Sequence, residues 1–323
     1  MIASPMPPPL AISTCWNSHR HTDGQAMLAE LAGLGFDRVE LGHGIRFSLM
    51  PGIRSAVDAG LVRITSLHNF CPLPMGYTRA NPNCFEFSDP RAVRRKNALR
   101  HSRETITHAA DLGADRVVLH LGSTGQPEVT PLLESLTARG RWGSKRFCHT
   151  KITALTEHES RARTRWPWVR DALLELGAFA REKNVRLGLE CRECVEEFPL
   201  DHEWPWVFEE LSAQAPAFGY WHDFGHAARK DALGWIEHLP HFRRLAPRLI
   251  GCHVHDFQMP ARDHCALGEG IIPFADFWPL VPSDAVFVLE LSPRLGVQQV
   301  QACLKWWNAH GPASTGVSGP KSP

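Results

Sequence analysis

The stretch Gly219-Tyr220-Trp221-His222-Asp223-Phe224-Gly225-His226 decides how this chain reads. A short apolar and aromatic run ends in a carboxylate, and an imidazole follows three residues later. A strand delivers one ligand at its C-terminal end in this way, and a second from the loop just beyond. Asp223 and His226 can therefore face one divalent cation or one polar substrate. Read alone, the pattern equally suits an aspartate that caps the next helix. What raises it is that other strand-like runs along the chain also finish in a ligand residue.

Eight short runs rich in Val, Ile, Leu and aromatic residues alternate with helical patterns: Leu10–Thr14, Arg38–Leu41, Val62–His68, Arg116–His120, Arg186–Glu190, Phe218–Asp223, Leu249–His255 and Val286–Glu290. Buried parallel strands read as such near-continuous apolar runs. Helix caps are visible between them. Thr22 or Asp23 can open a helix running to Leu34, and Asp89-Pro90 reads as a cap followed by proline at the first helical position. Gly35, Gly113 and Asn184 stand where a left-handed cap turns a helix into the next strand. Eightfold alternation of strand and helix predicts an α/β fold, a single (β/α)8 TIM barrel over residues 1–310, with a small polar tail at 311–323 expected to be disordered. A doubly wound sheet is the alternative.

Strand ends converge on one mouth of such a barrel. The steps from Glu190 to Asp223, to His255 and to Glu290 are 33, 32 and 35 residues, each fitting one strand–helix unit in a barrel of roughly 250 residues. The steps from His68 to His120 and on to Glu190 are longer, 52 and 70 residues. The excess predicts insertions after strands 3 and 4. Cys71–Ser88 and Gly122–Ser160 are accordingly expected to form a lid or a substrate-selecting wall over the mouth.

Net charge is +1 with 21% charged residues, so no overall basic excess argues for nucleic acid. The basic cluster around Arg139, Arg141, Lys145 and Arg146 is followed by Glu157 and Glu159, which reads as a solvated insertion. No apolar run approaches the ~20 residues of a membrane span, and Met1–Pro9 lacks the basic and apolar regions of a signal peptide. Nine irregularly spaced cysteines suit a reducing cytoplasm better than a disulfide framework. Cys191-x-x-Cys194 has no second CxxC to make a structural zinc site, so these read as ordinary thiols.

The strand-end residues are His68, His120, Glu190, Asp223, His255 and Glu290. Glu190, Asp223, His255 and Glu290 give three carboxylates and one imidazole, a mostly oxygen set suited to one divalent cation, Mn²⁺, Mg²⁺, Co²⁺ or Zn²⁺. In Leu187-Gly188-Leu189-Glu190, Asp223-Phe224-Gly225-His226, His253-Val254-His255-Asp256, Leu267-Gly268-Glu269-Gly270 and Leu289-Glu290 the chain resembles the xylose-isomerase-like TIM barrels. That superfamily contains sugar isomerases, sugar epimerases and type-IV apurinic endonucleases. The resemblance implies that Glu190, Asp223, His255 and Glu290 hold the metal and that His226 contacts substrate or a second metal. It implies a sugar contact for Glu196, six residues after the first ligand. The substrate arginine of the ketohexose epimerases would fall on Ala261, with Arg262 one residue later. The endonuclease branch uses three zinc ions and histidines at the positions of His68, His120 and His264. In this chain those three histidines could equally bind substrate.

The expected function is a metal-dependent sugar isomerase or epimerase that removes a proton beside a carbonyl and works through an enediolate. Glu190 and Glu290 carry the proton, and Trp16, Trp221 and Phe70 offer an apolar wall. A 3-keto-glycoside lyase or hydrolase on the same site and a zinc phosphodiesterase are the alternatives. The expected partner is a small carbohydrate, with neither nucleic acid nor membrane. The sequence leaves the oligomeric state open, a homo-oligomer included.

Overall fold

The computed structural model describes residues 7–312, so Met1–Met6 and nearly all of the 311–323 tail lie outside the described residues. Eight parallel strands close into a barrel: β1 (Leu10–Ser13), β2 (Arg38–Leu41), β3 (Arg63–His68), β4 (Arg116–Leu119), β5 (Arg186–Glu190), β6 (Phe218–Asp223), β7 (Leu249–Val254) and the closing strand β10 (Val286–Leu289). Each lies within a residue or two of the run expected from sequence. Between β7 and β10 comes a short antiparallel hairpin, β8 (Asp256–Gln258) and β9 (Arg262–Cys265). Strands of three and four residues are too short to leave a periodic signal, so the sequence reading missed them.

Side chains two apart on a strand share a face, and this sorts the barrel interior into layers. Ala11, Val118, Trp221 and Val288 form an apolar layer. Two residues further along the same strands come Ser13, His120, Asp223 and Glu290, so the next layer is polar. Trp221 fills the lower layer because its neighbours are glycines. A Cβ on Gly251 would fall 2.2 Å from the indole, and one on Gly188 would fall 2.8 Å from it. The larger apolar core lies between the strands and the surrounding helices, with Leu28, Ile106, Leu173, Phe224 and Trp307 all buried there.

Asp23 caps the helix Gly24–Gly33, its Oδ1 accepting the Ala26 N–H at 2.7 Å. Asp89 does not cap directly. It accepts the Arg91 N–H and pairs with the Arg91 and Arg94 guanidinium groups, so the helix starts later, at Ala92.

The first insertion reaches the mouth, where Thr78, Arg79, Ala80 and Pro82 line the cavity. The second does not, and its lid role is corrected. Residues 122–160 run into the helix Thr130–Ala138 and the first turns of a 38-residue helix, Lys145–Glu182. Their apolar side chains turn sideways: Leu133, Leu136 and Phe147 pack on Leu233, and Ala154 packs on Val195 and Leu200. The segment buttresses the loops after β5 and β6 from outside. No helix among the described residues is long and apolar enough to cross a membrane.

Candidate functional site

The mouth encloses a cavity of about 960 Å³. At and just beneath its floor, donor atoms of Glu190, Asp223, His253 and Glu290 lie within 4.8 Å of one another; all four residues are buried, and Glu190 and Glu290 line the cavity itself. Strand register explains the membership. Asp223 on β6 is level with His253 on β7, and His253 is level with Val288 on β10, two residues short of Glu290. His255 lies two residues further along the chain, and its donor atoms group instead with Asp223, His264 and Glu290, again within 4.8 Å of one another.

Hydrogen bonding separates the two histidines further. His253 Nδ1 lies 3.1 Å from Glu190 Oε1 and 3.0 Å from Glu290 Oε2, while its Nε2 lies 3.2 Å from Glu40 Oε1. Glu40 is fully buried and also accepts the Ser66 hydroxyl at 2.8 Å. A carboxylate behind an imidazole fixes its tautomer and raises its basicity, as behind metal-bound histidines generally. His255 is arranged the other way. Its Nδ1 accepts the His264 backbone N–H at 2.8 Å, so the neutral ring carries its proton on Nε2, 3.0 Å from Asp223 Oδ1. It therefore steadies Asp223, with both nitrogens engaged by protein. Asp223 also caps the helix Phe224–Ala232, its Oδ1 accepting the His226 N–H at 2.7 Å. The capping reading of this residue is realised, and the same carboxylate belongs to the buried donor group.

Further donor groups flank the floor. The Nδ1 of His68 donates to the Asn69 carbonyl at 3.0 Å, leaving Nε2 to face Glu190 Oε2 at 3.3 Å. His120 Nδ1 is engaged by Asn83 Oδ1 at 2.8 Å, and its Nε2 is 2.7 Å from the same Glu190 oxygen without a well-directed hydrogen bond. Two imidazoles thus converge on one carboxylate oxygen, and the three donor atoms lie within 4.8 Å of one another. On the other side, Glu193, His226 and Asp263 form a third group. The Nδ1 of His226 donates to the Cys191 carbonyl at 3.2 Å, which leaves its Nε2 as an acceptor.

Arg262 and His264 also line the cavity, both carried by the hairpin. His264 stacks on His255 at 4.1 Å, and its Nε2 is 3.7 Å from Glu290 Oε2. Glu196, expected at the sugar, is elsewhere. Its carboxylate accepts the Val129 and Thr130 N–H groups and the Thr130 hydroxyl, tying down the start of the helix Thr130–Ala138. Trp16, Trp221 and Phe70 are at most 1% exposed and belong to the core, so they give no wall to the cavity. Cys191 and Cys194 are free thiols. Sequence reasoning missed His253 and Glu40, and also three residues that line the cavity: Cys15, His43 and Arg192, whose guanidinium lies 3.4 Å from Glu190 Oε2. The His253-Val254-His255 spacing was the one available signal, since both imidazoles point to the same face of a strand.

Burial pushes the Glu290 carboxyl up, but His253 and His264 outweigh it and hold it well below the usual carboxylate range. Burial opposes a charge on His253, yet Glu290 and Glu40 raise it well above the ordinary imidazole value. The carboxylates are thus ionised at neutral pH and call for positive charge, from a proton or from a cation. Three buried carboxylates and one imidazole with a fourth carboxylate, Glu40, behind it fit a hard divalent cation.

No protein with a curated description matches the sequence significantly. Solved structures match over almost the whole chain. A D-tagatose 3-epimerase-like protein is 17% identical with a TM-score of 0.63, covering 94% of this chain and 98% of its own. The D-psicose 3-epimerase of Clostridium cellulolyticum H10 is 12% identical with a TM-score of 0.62, covering 94% and 99%. The 3-keto-D-glucoside 4-epimerase of E. coli is 12% identical with a TM-score of 0.62, covering 93% and 98%. At such identities these likenesses speak to the fold. A family profile described as the xylose isomerase-like TIM barrel matches residues 28–307, and the chain belongs to that family.

Proposed function

We propose that this protein is a divalent-cation-dependent isomerase or epimerase of a sugar or sugar-derived ketone, acting by removal of a proton beside the carbonyl. The observation that carries this reading is the buried floor of Glu190, Asp223, His253 and Glu290 beneath an open cavity. A cation held there would polarise a carbonyl and make the adjacent C–H more acidic. Glu190 and Glu290 are the proton carriers. They come from β5 and β10, with β6 and β7 between them, so their carboxylates reach the floor from different sides. One takes the proton, and the other returns it to the opposite face or to the adjacent carbon. The free Nε2 of His226 accepts from a substrate hydroxyl, and His255 keeps Asp223 in place. The proposed setting is the cytoplasm, whose reducing conditions suit nine free cysteines.

Deuterium incorporation in D₂O tests this with D-tagatose, D-psicose, D-fructose, L-ribulose and a 3-keto-glucoside, followed by NMR. We expect one or more of these to exchange the proton next to the carbonyl in the Mn²⁺-loaded protein, and Glu290→Gln to lower that exchange by about 10²–10⁴-fold. An amide cannot act as the base, although its oxygen still coordinates hard cations. Exchange that survives in the loaded variant removes Glu290 from the role. Release of the aglycone from the 3-keto-glucoside would redirect the assignment to a lyase or hydrolase on the same floor.

A second reading has one specific observation behind it. His68, His120 and Glu190 form a donor group beside the floor, and Glu193, His226 and Asp263 form another. Three neighbouring donor groups suit a zinc phosphodiesterase of the type-IV endonuclease kind. Zinc-dependent cleavage of abasic DNA, with no exchange from any ketose, would establish it.

A further inference from the structure

The two oxygens of Glu290 face different donor sets. Oε2 lies 3.0 Å from His253 Nδ1 on the floor, and Oε1 lies 3.3 Å from the Cys15 thiol. Cys15 follows β1 by two residues, and its Sγ is 3.9 Å from Nδ1 of His43, which follows β2 by two residues. The three donor atoms lie within 4.8 Å of one another, and all three residues line the cavity. Gly42 makes room for the thiol, because a Cβ there would fall 2.6 Å from Sγ.

Around a tetrahedral zinc ion, with Zn–S near 2.3 Å and Zn–N or Zn–O near 2.0–2.1 Å, adjacent donors stand roughly 3.6 Å apart. The observed 3.3 and 3.9 Å bracket that edge. We propose that Cys15, His43 and Glu290 form a second cation site for Zn²⁺ or Co²⁺, with Glu290 bridging it to the oxygen-rich floor. The thiolate makes this site softer than the floor, so it prefers zinc and cobalt over magnesium and manganese. Binding exchanges the Cys15 thiol proton, released to solvent, for the cation. Three protein donors leave a fourth position open toward the cavity, the pattern of a site that receives a ligand. The site depends on the isomerase reading only for the cation on the floor.

The test is spectroscopic and needs no substrate. Chelator-treated protein is titrated with Co²⁺, and the near-ultraviolet sulfur-to-cobalt charge-transfer band is followed. We expect the band in the wild type and in Cys148→Ser, where an exposed thiol far from the cavity is removed, and its loss in Cys15→Ser. His43→Ala should need at least tenfold more Co²⁺ for half the band. Iodoacetamide labelling of wild-type Cys15, read by peptide mass spectrometry, is an arm that needs no variant: Zn²⁺ should protect the thiol at least tenfold and Mg²⁺ should not. Cobalt bound without a sulfur band, a band that persists in Cys15→Ser, or equal labelling with and without Zn²⁺ would each overturn the second site. The first of these outcomes leaves the floor cation standing.

Discussion

Glu40→Gln probes the floor through a residue that never reaches the cavity. The substitution keeps the volume and one carbonyl-type oxygen, so the His253 Nε2–H, now 3.2 Å from Glu40 Oε1, retains an acceptor. The Ser66 hydroxyl, which donates to the other oxygen at 2.8 Å, turns to accept from the new amide nitrogen and so also keeps a partner. Only the negative charge behind the imidazole is lost. Changes to groups behind metal-bound histidines cost about 10–100-fold in metal affinity, or roughly 1.4–2.8 kcal/mol at 1.4 kcal/mol per decade. Isothermal titration of Mn²⁺ into chelator-treated wild type and variant should show that loss, with thermal melts confirming that both are folded. An affinity within about twofold of wild type would refute the assignment of His253 Nδ1 as a donor steadied by Glu40.

Glu196→Ala should destabilise the fold by roughly 1.5–3 kcal/mol, the worth of hydrogen bonds to a charged group, in urea unfolding. A KM raised more than tenfold at unchanged stability would restore Glu196 to the sugar. Gly251→Ala places a Cβ 2.2 Å from Trp221 and should cost about 1–3 kcal/mol by overpacking; a melting temperature equal to wild type would contradict the packing described for the barrel interior. Asp89 has its carboxyl held at about 2 by its hydrogen bond to Arg91. A depressed carboxylate stabilises the fold fully above its unfolded value of about 3.9 and loses that contribution as pH falls through the folded value. The stability gap between wild type and Asp89→Asn should therefore be widest at neutral pH and shrink as pH falls from about 4 toward 2; a gap independent of pH would refute the pairing.

The barrel was legible because its strands are buried on both faces and so announce themselves as apolar runs, as Phe218–Asp223 and Leu249–Val254 do. Glu190, Asp223 and Glu290 were singled out for the same reason: each stands at or just past the end of such a run. His253 was not, because choosing between residues two apart requires the register of β7 against β6, and register is set by pairing between distant segments. Glu196 shows the opposite failure. Its spacing from Glu190 suggested a substrate contact, whereas the second insertion brings a helix N-terminus onto its carboxylate, a tertiary contact across 66 residues of chain. Cys15, His43 and Glu40 were invisible because their significance lies wholly in what the closed barrel sets beside them.

Anomalous scattering from Mn²⁺-loaded crystals tests the central assignment most directly. The expected result is a peak on the floor within roughly 2.0–2.2 Å of carboxylate oxygens from Glu190, Asp223 and Glu290 and of His253 Nδ1, with His255 still hydrogen-bonded to Asp223. A peak coordinated by His255 and not by His253, or none among these carboxylates, would contradict it.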